Sequence, residues 1–167
     1  MKYYIDSFKC KKISSEESKE MLDYDVVEYK YPGQWCVLHS NGRKCILESK
    51  DGIIRQDKMN IKCDLVGHYW KFKGKYKFTY FDIITINNQN LTHLTLMERR
   101  QRFAPYVRNE EIPRWVEPSM PSRVERWEYI WREKVLVKYR GVNFEGLVFK
   151  KHSSKFGENI AVLNKTI

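Results

Sequence analysis

The first half of the chain is divided by glycine turns into segments of strand length. The turns are Ser40-Asn41-Gly42, Asp51-Gly52 and Lys73-Gly74, and glycine favours such positions because it adopts positive φ angles without strain. The intervening segments are rich in β-branched and aromatic residues, which are typical of strands. This pattern predicts a mainly antiparallel sheet. Its strands are Val26 to Lys30, Gln34 to His39, Arg43 to Glu48, Lys62 to Phe72 and Lys75 to Ile86.

The ends of the chain add further elements around this sheet. Two short ones are predicted near the N-terminus, a strand at Lys2 to Ile5 and a helix from Ser14 to about Leu22. After the sheet, a short helix should end near Tyr106, and three prolines make Glu111 to Pro121 a connector. Apolar residues at helical spacing then predict a helix at Ser122 to Tyr139. The last two segments are predicted to be strands. These strands are Phe144 to Lys150 and Glu158 to Lys165.

The composition limits the class of protein. A length of 167 residues is typical of a single domain. The chain has 31 basic and 21 acidic side chains and a net charge of +10. Such a charge favours a polyanionic partner, nucleic acid above all. No apolar run is long enough for a membrane helix or a signal peptide, so we expect an intracellular, cytoplasmic protein. Frequent Lys, Ile, Asn and Tyr are typical of AT-rich genomes, those of viruses and phages among them.

Cysteine and histidine do not predict a metal centre. The cysteines form no C-x-x-C pair and the histidines no H-x-x-x-H pair. Without a secretory signal we expect reduced thiols and histidines in ordinary surface or strand positions. The residues are Cys10, Cys36, Cys45, Cys63, His39, His68, His93 and His152.

Three segments carry residues with chemical potential. Lys30 ends a strand before a glycine turn, where its amine could act as a nucleophile, although most strand-end lysines are simply solvated. Glu145 begins an apolar strand and, if buried, would need a cation or a metal, although a carboxylate facing water is the simpler reading. Phe81 precedes Asp82 on a strand and could stack on a nucleobase, although such a ring is more often part of the core.

Together these segments resemble the motifs of the covalent nucleotidyltransferase superfamily, which comprises ATP-dependent DNA ligases, RNA ligases and mRNA capping enzymes. The segment Glu28 to Gly33 resembles the lysine motif K-x-D-G, and Ser49 to Gly52 the S-R-N-G element. Cys63 to Val66 is similar to G-E-L-V, and Glu145 to Lys150 matches E-G-L-V-x-K. Phe81-Asp82-Ile83 with the later Leu96 to Arg100 resembles the ligase pattern F-D-I…L-x-E-R-R. The elements occur in family order over Val26 to Ile167.

The resemblance implies a role for each matching residue. Lys30 would attack the α-phosphorus of ATP and carry AMP as a phosphoramidate, and Lys165 would contact the α-phosphate. Glu145 would bind Mg²⁺, while Phe81 and Val148 would enclose the adenine. Glu28 and the backbone near Tyr29 would read the adenine edge. Lys50, Asp64 and Lys150 complete the nucleotide-binding set.

The resemblance also implies a fold and a partner. The fold class is α+β, an ATP-grasp-like nucleotidyltransferase fold in which antiparallel sheets flanked by helices surround a nucleotide cleft. Residues 1–167 would be a single adenylation domain, expected to lack the C-terminal OB-fold domain of many relatives and to act as a monomer, with a separate OB-fold or clamp partner. The substrate would be nicked duplex DNA, or RNA, in repair or replication. The arginines near the short helix are expected to be solvated charges. They are Arg99, Arg100, Arg102 and Arg108.

Departures from the motifs leave other interpretations open. Pro32 replaces the usual acidic, Asn or His residue, Trp35 replaces an arginine, and Leu163 replaces a lysine of the final K-x-K motif. The chain could therefore be a ligase-derived binding module without catalysis. An RNA ligase and a capping-type guanylyltransferase are further alternatives, as is a basic domain with chance motif matches.

Overall fold

A computed structural model describes residues 10–18, 20, 23–119, 121–122 and 142–164 of the chain. The predicted strand Lys2 to Ile5, residues 123–139 of the predicted second-half helix, and Lys165 lie outside these residues. Within them, two sheets and one long helix form the fold. No helix in these ranges is long and apolar enough to cross a membrane.

The larger sheet contains the strands predicted for the first half of the chain except Val26 to Lys30, which belongs to the smaller sheet, so the expectation of a single sheet there was wrong. Its strand order is β5-β4-β3-β6-β7-β8, with β9 added in parallel beside β7. Neighbouring strands on the main path are antiparallel. The strands are β3 (Gln34–Asn41), β4 (Lys44–Ser49), β5 (Gly52–Lys58), β6 (Lys62–Phe72), β7 (Lys75–Ile86), β8 (Gln89–Asn90) and β9 (Val116–Pro118).

The smaller sheet joins segments from both ends of the chain. Its strand order is β1-β12-β11-β2-β10, and all pairs are antiparallel except β1 with β12. Strand β2 therefore lies beside β11, although more than 110 residues separate them in sequence. The strands are β1 (Cys10–Lys12), β2 (Val26–Lys30), β10 (Pro121–Ser122), β11 (Gly146–Lys150) and β12 (Ile160–Asn164).

Two helices occur in the described ranges, the four-residue α1 (Ser15–Ser18) and the longer α2 (Leu96–Arg108). Helix α2 begins with a capping box, in which the Thr95 side chain accepts from the Glu98 backbone and the Glu98 side chain accepts from Thr95. It packs on the larger sheet through Phe103, whose ring meets Tyr80 edge-on at 5.3 Å. Burial of this apolar face fixes the helix beside β7.

Most predicted strands are confirmed, and the differences have physical reasons. Strand β5 was missed because six of its seven residues are exposed, so its sequence lacks the alternation of a half-buried strand. Helix α2 is capped by Thr95 and ends at Arg108, two residues beyond the predicted end near Tyr106. The α+β fold class is confirmed, although parallel pairs occur at β1–β12 and β7–β9.

Candidate functional site

A cleft between the two sheets collects most of the residues that the motifs predicted. The smaller sheet lines it with β1, β2, β11 and β12, and the larger sheet with β3, β6 and β7. The predicted residues that border it are Glu28, Tyr29, Lys30, Phe81, Val148 and Lys150. The side chain of Tyr29 stacks on Phe144 with ring centroids 4.4 Å apart.

Lys30 lies at the end of β2, where the chain leaves the smaller sheet. Its Nζ donates a hydrogen bond to Asn164 Oδ1 at 2.7 Å and lies 3.9 Å from Glu145 Oε2. Its side chain is 26% exposed, so the amine is held in place while remaining accessible. The turn that follows requires Gly33, which has φ +107°, and a Cβ there would collide with the carbonyl oxygen of Tyr69.

Glu28 is the centre of a buried charge cluster at the base of the cleft. Its Oε1 accepts from Lys150 Nζ at 2.5 Å, and its Oε2 accepts from Arg100 Nη2 and Ser119 Oγ, both at 2.8 Å. Burial alone would raise the pKa of this carboxyl, but the cations of Lys150 and Arg100, with hydrogen bonds from Lys150 and Ser119, lower it to about 2. Glu28 is therefore a carboxylate at neutral pH and holds two cations beside the cleft.

This pKa predicts acid sensitivity. The depressed pKa of Glu28 stabilises the fold fully above about pH 4.5, and that contribution is lost as the pH falls toward about 2. When Glu28 is fully protonated, the free energy of unfolding is lower by roughly 3 kcal/mol. Urea unfolding across pH 2–7 should show a shallower acid decline for Glu28→Gln than for the unaltered protein. Glu158→Gln, on the exposed surface, should keep the original decline, and parallel curves for all three proteins would contradict the prediction.

Phe81 provides an aromatic wall on the larger sheet. Its ring packs edge-on against Trp35 at 5.2 Å and lies 5.3 Å from the His68 ring. The ammonium of Lys150 lies 4.8 Å from the Phe81 ring centroid. Burial, with the nearby Lys150 and Lys30 charges, lowers the pKa of His68 to about 3, so this imidazole is neutral. Facing this wall, Val148 pairs with Glu28 in the smaller sheet.

Two arginines of α2, Arg99 and Arg100, form ion pairs beside the cleft. The expectation that they are solvated charges was wrong. Arg99 is 1% exposed and forms a two-pronged ion pair with Asp82 at 2.7 and 2.9 Å. Arg100 turns to Glu28 and also donates to the carbonyl oxygen of Phe81 at 2.9 Å. Successive helical residues point about 100° apart, so these neighbours connect α2 to β7 and to β2.

Asp64 does not lie with the other predicted residues. Its carboxylate is hydrogen-bonded to His39 Nδ1 at 2.6 Å and to Thr85 Oγ1 at 2.5 Å. Asp64 precedes the residue of β6 that lines the cleft by four positions. That residue is His68, about 13 Å further along the strand. The structure therefore places Gly67-His68, rather than Cys63-Asp64, beside the cleft. The residue in the sequence that could have indicated this position is Gly67, because a Cβ there would collide with the Thr79 carbonyl oxygen on β7.

Lys50 and the end of β12 also differ from the motif-based expectation. Lys50 borders a separate surface depression that shares Trp35 with the cleft. On β12, Val162 lines the cleft and Asn164 contacts Lys30, while Leu163 is buried in the core of the smaller sheet. Asn164 was missed because the motif directs attention to lysines. The predicted Lys165 lies outside the described residues.

Glu145, the carboxylate that the resemblance assigns to Mg²⁺, lies beside Lys30. Glu145 is half-exposed at 3.9 Å from Lys30, and its backbone N–H donates to the Lys30 carbonyl oxygen at 2.8 Å. The described residues contain no group of three or more His, Cys, Asp or Glu side chains that could cage a metal. Mg²⁺ commonly uses one or two carboxylates together with substrate phosphates. Glu145 provides one such carboxylate.

The fold is similar to solved structures of DNA ligases. A Lig E DNA ligase, studied for DNA binding with a minimal scaffold, superposes with a TM-score of 0.61 at 11% identity over 95% of this chain. The ligase domain of M. tuberculosis LigD gives 0.57 at 10% identity over 93%. A mycobacterial DNA ligase D complexed with ATP and MES gives 0.57 at 11% identity over 83%.

These likenesses establish the fold. The chain has the fold of these DNA ligases, and this confirms the fold that the motif resemblance implied. It covers 68%, 58% and 54% of the three neighbouring chains, in the order given. No protein-family model matches the sequence, and no curated protein matches it either.

Proposed function

We propose that the protein is an ATP-dependent DNA ligase-type nucleotidyltransferase that carries AMP on Lys30 and passes it to a 5′-phosphate for strand joining. The observation that carries this proposal is the position of Lys30, whose accessible amine lies between Glu145 and Asn164 at a cleft lined by Phe81 and Val148. The fold supports it, since solved DNA ligases superpose on this chain with TM-scores of 0.61, 0.57 and 0.57.

The first step is a substitution at the α-phosphorus of ATP. Lys30 Nζ forms a P–N bond, the P–O bond to pyrophosphate breaks, and the amine proton passes to solvent. Asn164 accepts a hydrogen bond from the amine and so orients it for attack. Mg²⁺ would neutralise charge on the phosphates, with Glu145 as its carboxylate from this chain.

The adenine would be held between the aromatic wall and β11. Phe81 offers a ring already fixed by Trp35 and His68, and stacking on such a ring favours a flat base. Val148 would close the opposite face. Glu28 Oε1 accepts one hydrogen bond from Lys150, and because a carboxylate oxygen can accept two, one acceptor position remains for the adenine edge.

The second step would transfer AMP to the 5′-phosphate of a nucleic acid. The net charge of +10 favours such a substrate because phosphate contacts dominate its affinity. The Lig E neighbour was studied as a DNA-binding protein and a ligase D neighbour holds ATP, which favours DNA and ATP here. We further propose an intracellular monomer of one adenylation domain, with an OB-fold or clamp supplied by a partner.

Intact-protein mass spectrometry tests the first step directly. After incubation with ATP and Mg²⁺ we expect a mass gain of one adenylyl group, located at Lys30 by peptide fragmentation. GTP is the matched control, because a capping-type enzyme would gain a guanylyl group instead. No adduct with either nucleotide from neutral to alkaline pH would contradict the proposal.

A nucleotide-binding domain without catalysis is the second candidate. It is favoured by Leu163, which stands where the final motif has a lysine and is buried in the core of the smaller sheet, and by the replacements at Pro32 and Trp35. Such a domain would still be stabilised by its ligand through mass action. A rise in melting temperature with ATP but no covalent adduct would identify it, and an adduct would exclude it.

A further inference from the structure

The hairpin formed by β6 and β7 has a composition that the nucleotide cleft does not explain. Across its turn, lysines alternate with aromatic and other residues from Lys71 to Lys77. Cross-strand pairing places Lys71 opposite Tyr76 and Phe72 opposite Lys75. The hairpin tip therefore presents positive charge and aromatic surface together on both faces.

Most of these lysines lack an acidic partner. Lys77 pairs with Glu117 at 3.3 Å, but in the part of the chain that the structure describes Lys71, Lys73 and Lys75 form no ion pair and are exposed. The ammonium of Lys71 lies 5.5 Å from the Tyr76 ring, and that of Lys73 lies 5.3 Å from the Phe72 ring. These three charges are available to an anionic ligand.

The hairpin borders the surface depression that also contains Lys50. This depression, of about 1010 Å³, is lined by Lys71 and Tyr76 on the hairpin and by Trp35 and Lys50 on its other side, which is ample room for a nucleotide unit. Tyr76 is 48% exposed as a residue, and its ring stacks on Tyr69 with centroids 5.1 Å apart. Trp35 forms part of both the depression and the nucleotide cleft, so the two are adjacent.

We propose that this hairpin and depression bind a single-stranded segment of nucleic acid. Exposed aromatic rings beside lysines combine base stacking with phosphate contacts, the two terms that hold unpaired strands. A base inside a duplex has both faces covered by its stacked neighbours, so stacking on Tyr76 favours unpaired bases. Trp35 connects the two sites, so a strand bound here would lead its end to Lys30. That last role rests on the proposed function, whereas the binding does not.

The stacking component is tested by fluorescence anisotropy on the full chain. The probes are oligo-dT, oligo-U and a blunt DNA duplex of equal length at fixed salt. Tyr76→Ala should weaken single-strand binding about tenfold and leave duplex binding unchanged, because one base–aromatic stack is lost. Tyr76→Phe keeps the ring and should bind normally. The ratio of the oligo-dT and oligo-U affinities identifies which strand the site prefers. An equal effect of Tyr76→Ala on duplex and single strand, or no effect, would overturn the proposal.

The charge component is tested by two triple variants with the same loss of charge. Lys71→Gln/Lys73→Gln/Lys75→Gln should reduce the slope of log affinity against log salt by about 2 for single strands. The control variant replaces Lys44, Lys58 and Lys62 with Gln. These exposed lysines lie at the end of the larger sheet that is away from the hairpin tip, so their loss should leave the slope nearly unchanged. Equal losses in both variants would mean that net charge alone acts. Equally tight binding of polyglutamate would identify an acidic protein surface instead. Either result overturns the proposal.

The adenylylation assay separates this inference from the proposed function. The hairpin variants should form the Lys30 adduct as the unaltered protein does, because none of the changed residues lines the nucleotide cleft. Selective single-strand binding without any adduct would leave the inference standing and reject the ligase function. An adduct together with binding that ignores Tyr76 and the hairpin lysines would reject the inference and retain the function.

Discussion

Replacing Lys30 with arginine is expected to abolish the adenylyl adduct and every later joining step. Arginine preserves the positive charge near Glu145 and Asn164, but its guanidinium is not deprotonated in proteins and cannot serve as the nucleophile. The free energy of unfolding should change by no more than about 1 kcal/mol, because the Lys30–Glu145 contact is long and half-exposed. Catalysis and stability are thereby separated in one variant.

Lys58→Arg is the matched control. Lys58 is exposed at the end of β5, at the opposite end of the larger sheet from the cleft, and its replacement should leave adduct formation unchanged. Intact mass after incubation with ATP and Mg²⁺, with urea unfolding of both variants, provides the measurement. If the Lys30→Arg variant formed the adduct in undiminished yield, another residue would be the nucleophile. The role proposed for Lys30 would then be wrong.

Much of the cleft could be predicted from the order of the motifs along the chain. Lys30, Phe81 and Val148 lie on strands whose alternation predicts which side chains share a face. The motif order then predicts that these strands meet. The structure confirms the strands at Val26–Lys30 and Lys75–Ile86 and places all three residues on one cleft. These positions agree with the motif matches, while the roles of the three residues stay predictions.

The position of Asp64 could not be predicted because strand register depends on distant partners. Asp64 and His68 lie an even number of residues apart, so simple alternation places both on the same face of β6. Which of them reaches the cleft depends on pairing with β7, and that pairing shifts register twice between Asp64 and Gly67. The motif match selected the acidic residue, whereas the fold selected the one that faces Trp35.

The buried ion pairs were unpredictable for a related reason. Arg99 and Asp82 are 17 residues apart, and Arg100 lies far along the chain from Glu28. Among 31 basic and 21 acidic residues, sequence alone does not indicate which pairs leave the solvent. Only the packing of α2 against β7 makes Arg99 a buried residue, because the adjacent Phe103 and Leu96 draw that helix face into the core.

Replacing Asp82 with asparagine is expected to be the most destabilising change in this region. Asp82 and Arg99 are almost fully buried and share two hydrogen bonds. Removing one charge leaves the other without its partner in a poorly solvated site, which typically costs 3–5 kcal/mol. Arg99 also donates to the carbonyl oxygens of Leu94 and Ser154 at 2.7 and 3.1 Å, so it cannot turn to solvent without breaking these bonds. Urea unfolding at neutral pH should therefore show a lower midpoint with a nearly unchanged slope.

Two further variants separate the loss of a charge pair from a general effect of substitution. Glu117→Gln breaks the half-exposed Lys77–Glu117 pair and should cost less than about 1 kcal/mol. Asp82→Asn combined with Arg99→Met removes both charges and should be less destabilised than the sum of the two single variants, giving a coupling free energy above about 1 kcal/mol. If Asp82→Asn cost no more than Glu117→Gln, the buried pair would not be what holds α2 against β7. The cleft would then owe its shape to the apolar contacts of Phe103 and Leu96 alone.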